Sequence, residues 1–233
     1  MDAFFGLFFS AFFSSKCLSC DENLRYFGFC TPCWRNLEPR RGSRCRVCDA
    51  QFAGPVTDSR CGQCLDKPPP FEQVHGLFDY AGPVGDAIRK GKYGDCPRAI
   101  SMVAKLCALA IQERIDVSKS MTIVPIPSHW RRAARQRFEP TLVIAHELSL
   151  ELNMPLNKHL LSRKTHTKPQ AGMKAIERSQ NLKGAFKATG RSPKRVLLVD
   201  DVYTTGATVK SATRVLKRSG AEDVQILAAA YVT

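Results

Sequence analysis

Residues 196–208 read Val-Leu-Leu-Val-Asp-Asp-Val-Tyr-Thr-Thr-Gly-Ala-Thr, and their order decides the fold. Val196–Val199 is a short apolar run, which predicts a strand buried on both faces. The run ends in two adjacent carboxylates, Asp200 and Asp201, and a turn of small hydroxyl residues around Gly206 follows. Val209, Ala212, Val215 and Leu216 then recur at helical spacing, so an amphipathic helix comes next. A strand that passes through a small-residue loop into a helix builds a phosphate cradle. Backbone N–H groups and the helix N-terminus face the anion, and glycine lets the backbone approach it. Thr204, Thr205 and Thr208 add hydroxyl donors.

Carboxylates repel phosphate, so the acid pair must serve another part of the same ligand. A ribose carries vicinal hydroxyls close to its 5-phosphate. Asp200 and Asp201 suit them as acceptors, directly or through a metal and water, and both are expected to face the ligand rather than the core. The run resembles the signature of the type I phosphoribosyltransferases, which bind 5-phosphoribosyl-1-pyrophosphate (PRPP). The resemblance implies that Asp200 and Asp201 hold the ribose, that Thr204, Thr205, Gly206, Ala207 and Thr208 wrap the 5-phosphate, and that magnesium accompanies PRPP.

The opposite end of the chain carries metal chemistry. Of ten cysteines, eight form four C-x-x-C pairs: Cys17/Cys20, Cys30/Cys33, Cys45/Cys48 and Cys61/Cys64. One such turn places two thiolates on one side of a metal, and two turns complete a tetrahedral site. Four pairs therefore predict two structural zinc sites. Sequential pairing groups Cys17, Cys20, Cys30 and Cys33, then Cys45, Cys48, Cys61 and Cys64; spacing alone leaves an interleaved order open. An iron–sulfur cluster uses the same ligands. Disulfides need a secreted chain, and the thioredoxin-like context of a redox C-x-x-C is absent. Cys107 falls in a helical stretch and reads as core; Cys96 is unpaired in sequence.

Met1–Phe13 is rich in phenylalanine but too short to span a bilayer, and Asp2 stands where a signal peptide carries positive charge. A cytoplasmic protein without a transmembrane segment is expected. Residues 1–70 hold the zinc pairs, in a region too small to fold without metal. Pro68-Pro69-Pro70 reads as a stiff spacer, and residues 71–233 are long enough for one core domain. Strands are expected near 74–80, 121–126, 196–199 and 224–232. Helices are expected near 83–92, 97–115, 140–152 and after Gly206, with an irregular basic stretch up to about 183. This alternation predicts an α/β domain with a mainly parallel sheet, whose ligands bind at the carboxyl ends of the strands.

The whole chain resembles the ComF/GntX family, a double zinc ribbon followed by a type I phosphoribosyltransferase-like domain. The resemblance also rests on Lys67-Pro68-Pro69-Pro70-Phe71, Lys92-Tyr93-Gly94-Asp95, Val124-Pro125-Ile126-Pro127, Gln170-Ala171-Gly172 and the stretch from Arg178 to Phe186. It implies a role in natural competence and in the uptake or use of DNA, with single-stranded DNA and the uptake machinery as partners. It also implies a pyrophosphate loop at Pro127, Ser128, Arg131 and Arg132. One departure stands out. Where the family carries Arg-Gly-Phe-Asn-Gln, this chain has Arg137 at the glycine and Glu139-Pro140 at Asn-Gln. A Cβ at a glycine position restricts the backbone, which weakens the case for catalysis here.

Charge supplies the last clue. The net charge is +14, yet residues 1–70 hold nine Lys/Arg against seven Asp/Glu. The excess lies in Arg131–Arg137 and in Lys158–Arg195, where eleven basic residues meet one acid, Glu177. Such density favours polyanions. Arg135, Arg137, Lys164, Lys168 and Arg178 are candidates for contacts to nucleic acid. Nearby aromatics are few (Trp130, Phe138 and Phe186), which predicts salt-sensitive backbone contacts with a preference for single strands. Two functions follow: a PRPP-binding protein that handles DNA, or a magnesium-PRPP-dependent transferase acting on an unidentified amine or base.

Overall fold

The computed structural model describes residues 15–54, 59–115, 121–128, 137–163 and 184–233. The chain opens with two short strands, β1 (Ser15–Lys16) and β2 (Asn23–Leu24), and two single-turn helices, α1 (Thr31–Arg35) and α2 (Gly62–Asp66). The α/β region follows as β3 (Gln73–Asp79), α3 (Pro83–Tyr93), α4 (Pro97–Gln112), β4 (Thr122–Pro125) and α5 (Pro140–Glu151). It is completed by β5 (Leu161–Arg163), β6 (Phe186–Ala188), β7 (Arg195–Tyr203), α6 (Ala207–Arg218) and β8 (Asp223–Tyr231). Proline opens α3, α4 and α5, where its missing N–H costs nothing and its fixed φ suits the first turn. Gly220, at φ 115°, terminates α6, and the Ala221 N–H returns to the Leu216 carbonyl.

Four strands form one parallel sheet in the order β3-β8-β7-β4. The pleat sorts β7 between two cores. Leu197 and Val199 join α3, α4 and α5 on one face, while Val196 and Leu198 join α6 on the other. β4 and β7 are neighbours, but the helices that follow them, α5 and α6, lie on opposite faces. In a parallel sheet this change of face between neighbouring strands puts a ligand crevice at their carboxyl ends.

The sheet has no bare outer edge among the described residues. On β4, the Ile123 N–H donates to the Pro155 carbonyl, and the Asn157 N–H donates to the Ile123 carbonyl. On β3, the Val74 N–H donates to Val47, and Leu77 accepts from the Arg40 N–H. The cysteine-bearing region thus caps the strand that would otherwise template aggregation. It also shares the sheet's core: Cys17, Leu18, Phe29, Cys30 and Cys33 pack with residues of α3 and α4.

Two expectations are corrected. The cradle strand does not end at the acid pair, because β8 continues alongside and pairs Val202 with Ala230 and Tyr203 with Tyr231. The stretch read as irregular contains β5, which pairs antiparallel with β6. Calls on Met1–Phe13, Trp130, Arg131, Arg132, Arg135, Lys164, Lys168, Gln170-Ala171-Gly172 and Arg178 lie outside the described residues.

Gly76 marks the closest approach of β3 to the cysteine-bearing region. A Cβ there would lie 2.7 Å from Asp49 Oδ2, 2.8 Å from Arg40 Nη1 and 2.8 Å from the Tyr231 ring. Gly76→Ala should therefore destabilise the fold by about 1–3 kcal/mol through overpacking. Gly54→Ala, whose Cβ would meet nothing within 4 Å, should stay within about 0.5 kcal/mol of wild type. Urea denaturation of the two variants checks the contrast.

Candidate functional site

The structure groups the eight paired thiols in sequential order. Cys17, Cys20, Cys30 and Cys33 form one cluster, and Cys45, Cys48, Cys61 and Cys64 the other; within each, all sulfurs lie within 4.8 Å of one another. Cys20 and Cys30 are 3.5 Å apart, and Cys48 and Cys61 are 3.6 Å apart. Tetrahedral zinc with bonds of about 2.3 Å spaces its sulfurs by about 3.8 Å, so both sets fit the ion. Backbone donors prepare them. The N–H groups of Ser19 and Cys30 lie 3.4 and 3.3 Å from Cys17 Sγ, and that of Cys61 lies 3.3 Å from Cys45 Sγ. Burial alone would raise these thiols, but the backbone N–H groups outweigh it and bring Cys17 down to about 6 and Cys45 to about 7; in the same clusters burial pushes Cys33, Cys48 and Cys64 up, as expected of thiols crowded together without a cation. These are two four-cysteine zinc sites. Cys107 is fully buried and burial pushes its thiol up, as befits a core residue; Cys96 is half-buried just before α4.

The second site occupies the crevice between β4 and β7. Gly206 caps α6 in the left-handed region, at φ 71° and ψ 4°, and a Cβ there would sit 2.3 Å from Tyr203 Oη. Only glycine meets both demands. No side chain caps α6, so its first N–H groups remain available to an anion. Thr204 and Thr205 are exposed and Thr208 is half-buried beside them. Tyr203 is buried and stacks on Tyr231 with ring centroids 4.9 Å apart, fixing the strand end from which the loop departs.

The acid pair is divided by the pleat. Asp201 points to the α3 side, where its Oδ2 lies 2.7 Å from Lys92 Nζ; the two side chains are only 13% and 7% exposed. Asp200 lies on the α6 face, and its Oδ1 accepts from the Asp201 N–H at 3.0 Å. The two acids therefore do not both face only a ligand. Asp201 also neutralises a buried lysine, as the structure of the Lys92-Tyr93-Gly94-Asp95 stretch now explains. Lys92 follows Ile88 by four residues on the buried face of α3. A lysine at a core position of a helical repeat is the sequence signal for such a partner, and it went unread.

Across the crevice, the Ile126 N–H continues the ladder to the Val199 carbonyl, and Thr141 Oγ1 donates to the Ile126 carbonyl at 2.8 Å. Pro127 and Ser128 follow directly, at the same sheet end as Asp200. The Ser128 N–H donates to the carboxylate of Glu139, the residue just before α5. A backbone donor that would serve an anion in the crevice already holds the chain's own anion. Arg137 is exposed and lies 3.5 Å from Asp95, at the carboxyl end of α3. Phe138 and Phe186 pack into the cores rather than offering rings to solvent.

Comparison with known proteins agrees with this division. Residues 8–65 match the double zinc ribbon domain family, and residues 141–232 match the phosphoribosyl transferase domain family. The chain is 28% identical over 224 residues to competence protein F of Haemophilus influenzae, covering 92% of this chain and 96% of that protein. It is 30% identical over 210 residues to the DNA utilization protein YhgH of Salmonella typhimurium, covering 87% and 90%. It is also similar to the structure of adenine phosphoribosyl transferase from Trypanosoma brucei in complex with AMP, pyrophosphate and ribose-5-phosphate. The TM-score is 0.38 at 12% identity, over 70% of this chain and 72% of that one.

Elemental analysis of full-length protein purified without added metal should give two zinc ions per chain. Because the ligands are thiolates, acidification well below the Cys17 and Cys45 values should release both ions. Zinc retained at strongly acid pH, or iron in its place, would contradict these sites.

Proposed function

The chain belongs to the ComF/GntX family, and from that premise we propose that it binds magnesium–PRPP in the β4–β7 crevice and handles single-stranded DNA in competence or DNA utilisation. The observation that carries the reading is the uncapped start of α6 behind Thr204–Thr208, opening at the point where neighbouring strands send their chains to opposite faces. The 5-phosphate rests on that loop and helix terminus. Asp200 and Asp201 serve the ribose hydroxyls, and the ion pair with Lys92 orients Asp201. Bound magnesium would neutralise part of the pyrophosphate charge. A cytoplasmic setting suits the reading, since reduced thiols keep both zinc sites loaded. The basic segments Arg131–Arg137 and Lys158–Arg195 are assigned to the phosphates of the strand, and the uptake machinery is the partner class.

Binding without turnover is favoured over phosphoribosyl transfer. Pyrophosphate entering beside Ser128 would have to displace or tolerate the Glu139 carboxylate, a repulsion built into the subsite. Glu139→Gln should therefore tighten PRPP binding, by about tenfold if one nearby like charge is relieved.

Titration calorimetry of the full chain tests both statements. Wild type should take up PRPP only with magnesium, and Asp200→Ala should abolish the heat. Asp201 is better probed as Asp201→Asn, which removes the charge but keeps a hydrogen-bond acceptor beside the buried Lys92. Absence of heat with millimolar PRPP and magnesium would refute the ligand assignment. Release of pyrophosphate on addition of candidate amines or bases would move the conclusion to the transferase.

A further inference from the structure

The first zinc ribbon carries a feature that PRPP binding does not use. Tyr26 and Trp34 are 57% and 55% exposed; Tyr26 lies between the two cysteine pairs of the first zinc site and Trp34 directly follows the second. Tyr26 Oη donates to the Phe29 carbonyl at 3.2 Å. Trp34 sits on α1 next to the zinc ligand Cys33, and its N–H donates to the Cys30 carbonyl at 2.8 Å. The two rings border an open recess of about 470 Å³, whose other walls include Phe27, Phe29 and Met102 of α4. Tyr and Trp side chains offer large flat faces at low rotamer cost, which suits the stacking of a flat group.

The charges around the recess select the kind of flat group. Arg25 and Arg35, next in sequence to the two rings, are both exposed. The Arg98 guanidinium lies over the Phe27 ring at 4.3 Å, at the rim. Two nearby carboxylates are already engaged: Asp21 with Lys90 at 2.6 Å, and Asp86 with Arg89. Aromatic faces interleaved with arginine suit a ligand that alternates π-faces with phosphates.

We infer that the Tyr26–Trp34 recess is a stacking platform for unpaired nucleobases, with Arg25, Arg35 and Arg98 taking the adjoining phosphates. The inference rests on the single-strand reading above and gives that reading a site on the ribbon. It also adds ring faces to those of the basic segments, where Phe186 is buried and Phe138 packs partly against the core. Duplex DNA keeps its bases stacked on one another, so the platform discriminates between strand states while the guanidinium groups do not.

The test uses full-length protein with a fifteen-nucleotide oligothymidylate and a duplex of equal length, followed by anisotropy over a salt series. The double variant Tyr26→Ala, Trp34→Ala should weaken single-strand binding by about tenfold or more, the size expected for the loss of one or two stacked bases. Arg98→Ala should lower the salt dependence by about one counterion. Elemental analysis of both variants for two zinc ions confirms that the ribbon is intact. A second readout avoids deletion: in a Trp130→Phe background, where Trp34 is the remaining tryptophan, bound oligothymidylate should quench its emission, and Trp34→Phe should keep the affinity. Oligothymidylate binding that leaves Trp34 emission unchanged, or a double variant within twofold of wild type, would overturn the platform and leave the single-strand reading standing. Equal quenching by duplex would overturn the assignment to unpaired bases. Failure of wild type to bind any oligonucleotide would remove the reading and the platform together.

Discussion

The Arg40 guanidinium is the interaction on which the arrangement of the two regions depends. It is buried between the ribbons and the sheet, donates to Asp79 Oδ1 at 2.8 Å, contacts the Asp49 carboxylate, and lies 4.0 Å over the Tyr231 ring. Its backbone N–H meanwhile pairs with Leu77 on the outer edge of β3. Two carboxylates and a ring face meet the charge through Nε, Nη1 and the guanidinium plane, while Nη2 is buried without a hydrogen-bond partner among the described residues. Burial pushes the Asp49 carboxyl above its ordinary value, although Arg40, Arg44 and Arg114 all oppose that shift. The pair specifies one docking geometry, because any other leaves an ion stranded. From Arg40 the contacts run through Tyr231 to Tyr203, and from Tyr203 Oη to the backbone of Gly206. The zinc ribbons and the phosphate loop thus share one packed column of side chains.

The crevice gains its chemistry from the same sheet. Parallel strands are buried on both faces, so their polar side chains emerge where the strands end. β7 breaks that pattern two residues early by carrying adjacent acids within the ladder. The pleat then sends one to each face, and Asp201, on the α3 side, meets the buried Lys92. The crevice is consequently asymmetric. Its α6 side offers N–H groups and hydroxyls, while its α3 side offers a neutralised carboxylate. Across from both stands Glu139, an acid in place of the amide that the family usually carries.

Legibility in the sequence followed the distance between the residues involved. Pro83, Pro97 and Pro140 mark their helix starts to the residue, since the signal is local. Thr204–Thr208 was readable as a cradle because loop and helix terminus are contiguous. The β5–β6 pair was not, because each strand is only three residues long and a long basic stretch lies between them. Lys92 on α3 and Asp201 on β7 meet with five described elements between them in the chain, and nothing in either neighbourhood names the other. Arg40 looked like one basic residue among many in a nearly neutral region. Charge points to the aromatics of the basic segments, whereas Tyr26 and Trp34 lie on the ribbon, where exposure rather than composition reveals them.

The order β3-β8-β7-β4 sets a schedule for synthesis. The first strand of the sheet, Gln73–Asp79, finds its partner only in the last, Asp223–Tyr231. At ordinary ribosome speeds the interval is on the order of ten seconds. During that time an apolar strand has no inner neighbour. Its outer neighbours, Arg40 and Val47, have already been made, as have all eight zinc ligands. A metal-folded ribbon standing ahead of such a strand acts as a guard on the nascent chain, holding one side of β3 until the carboxyl terminus leaves the ribosome and closes the other.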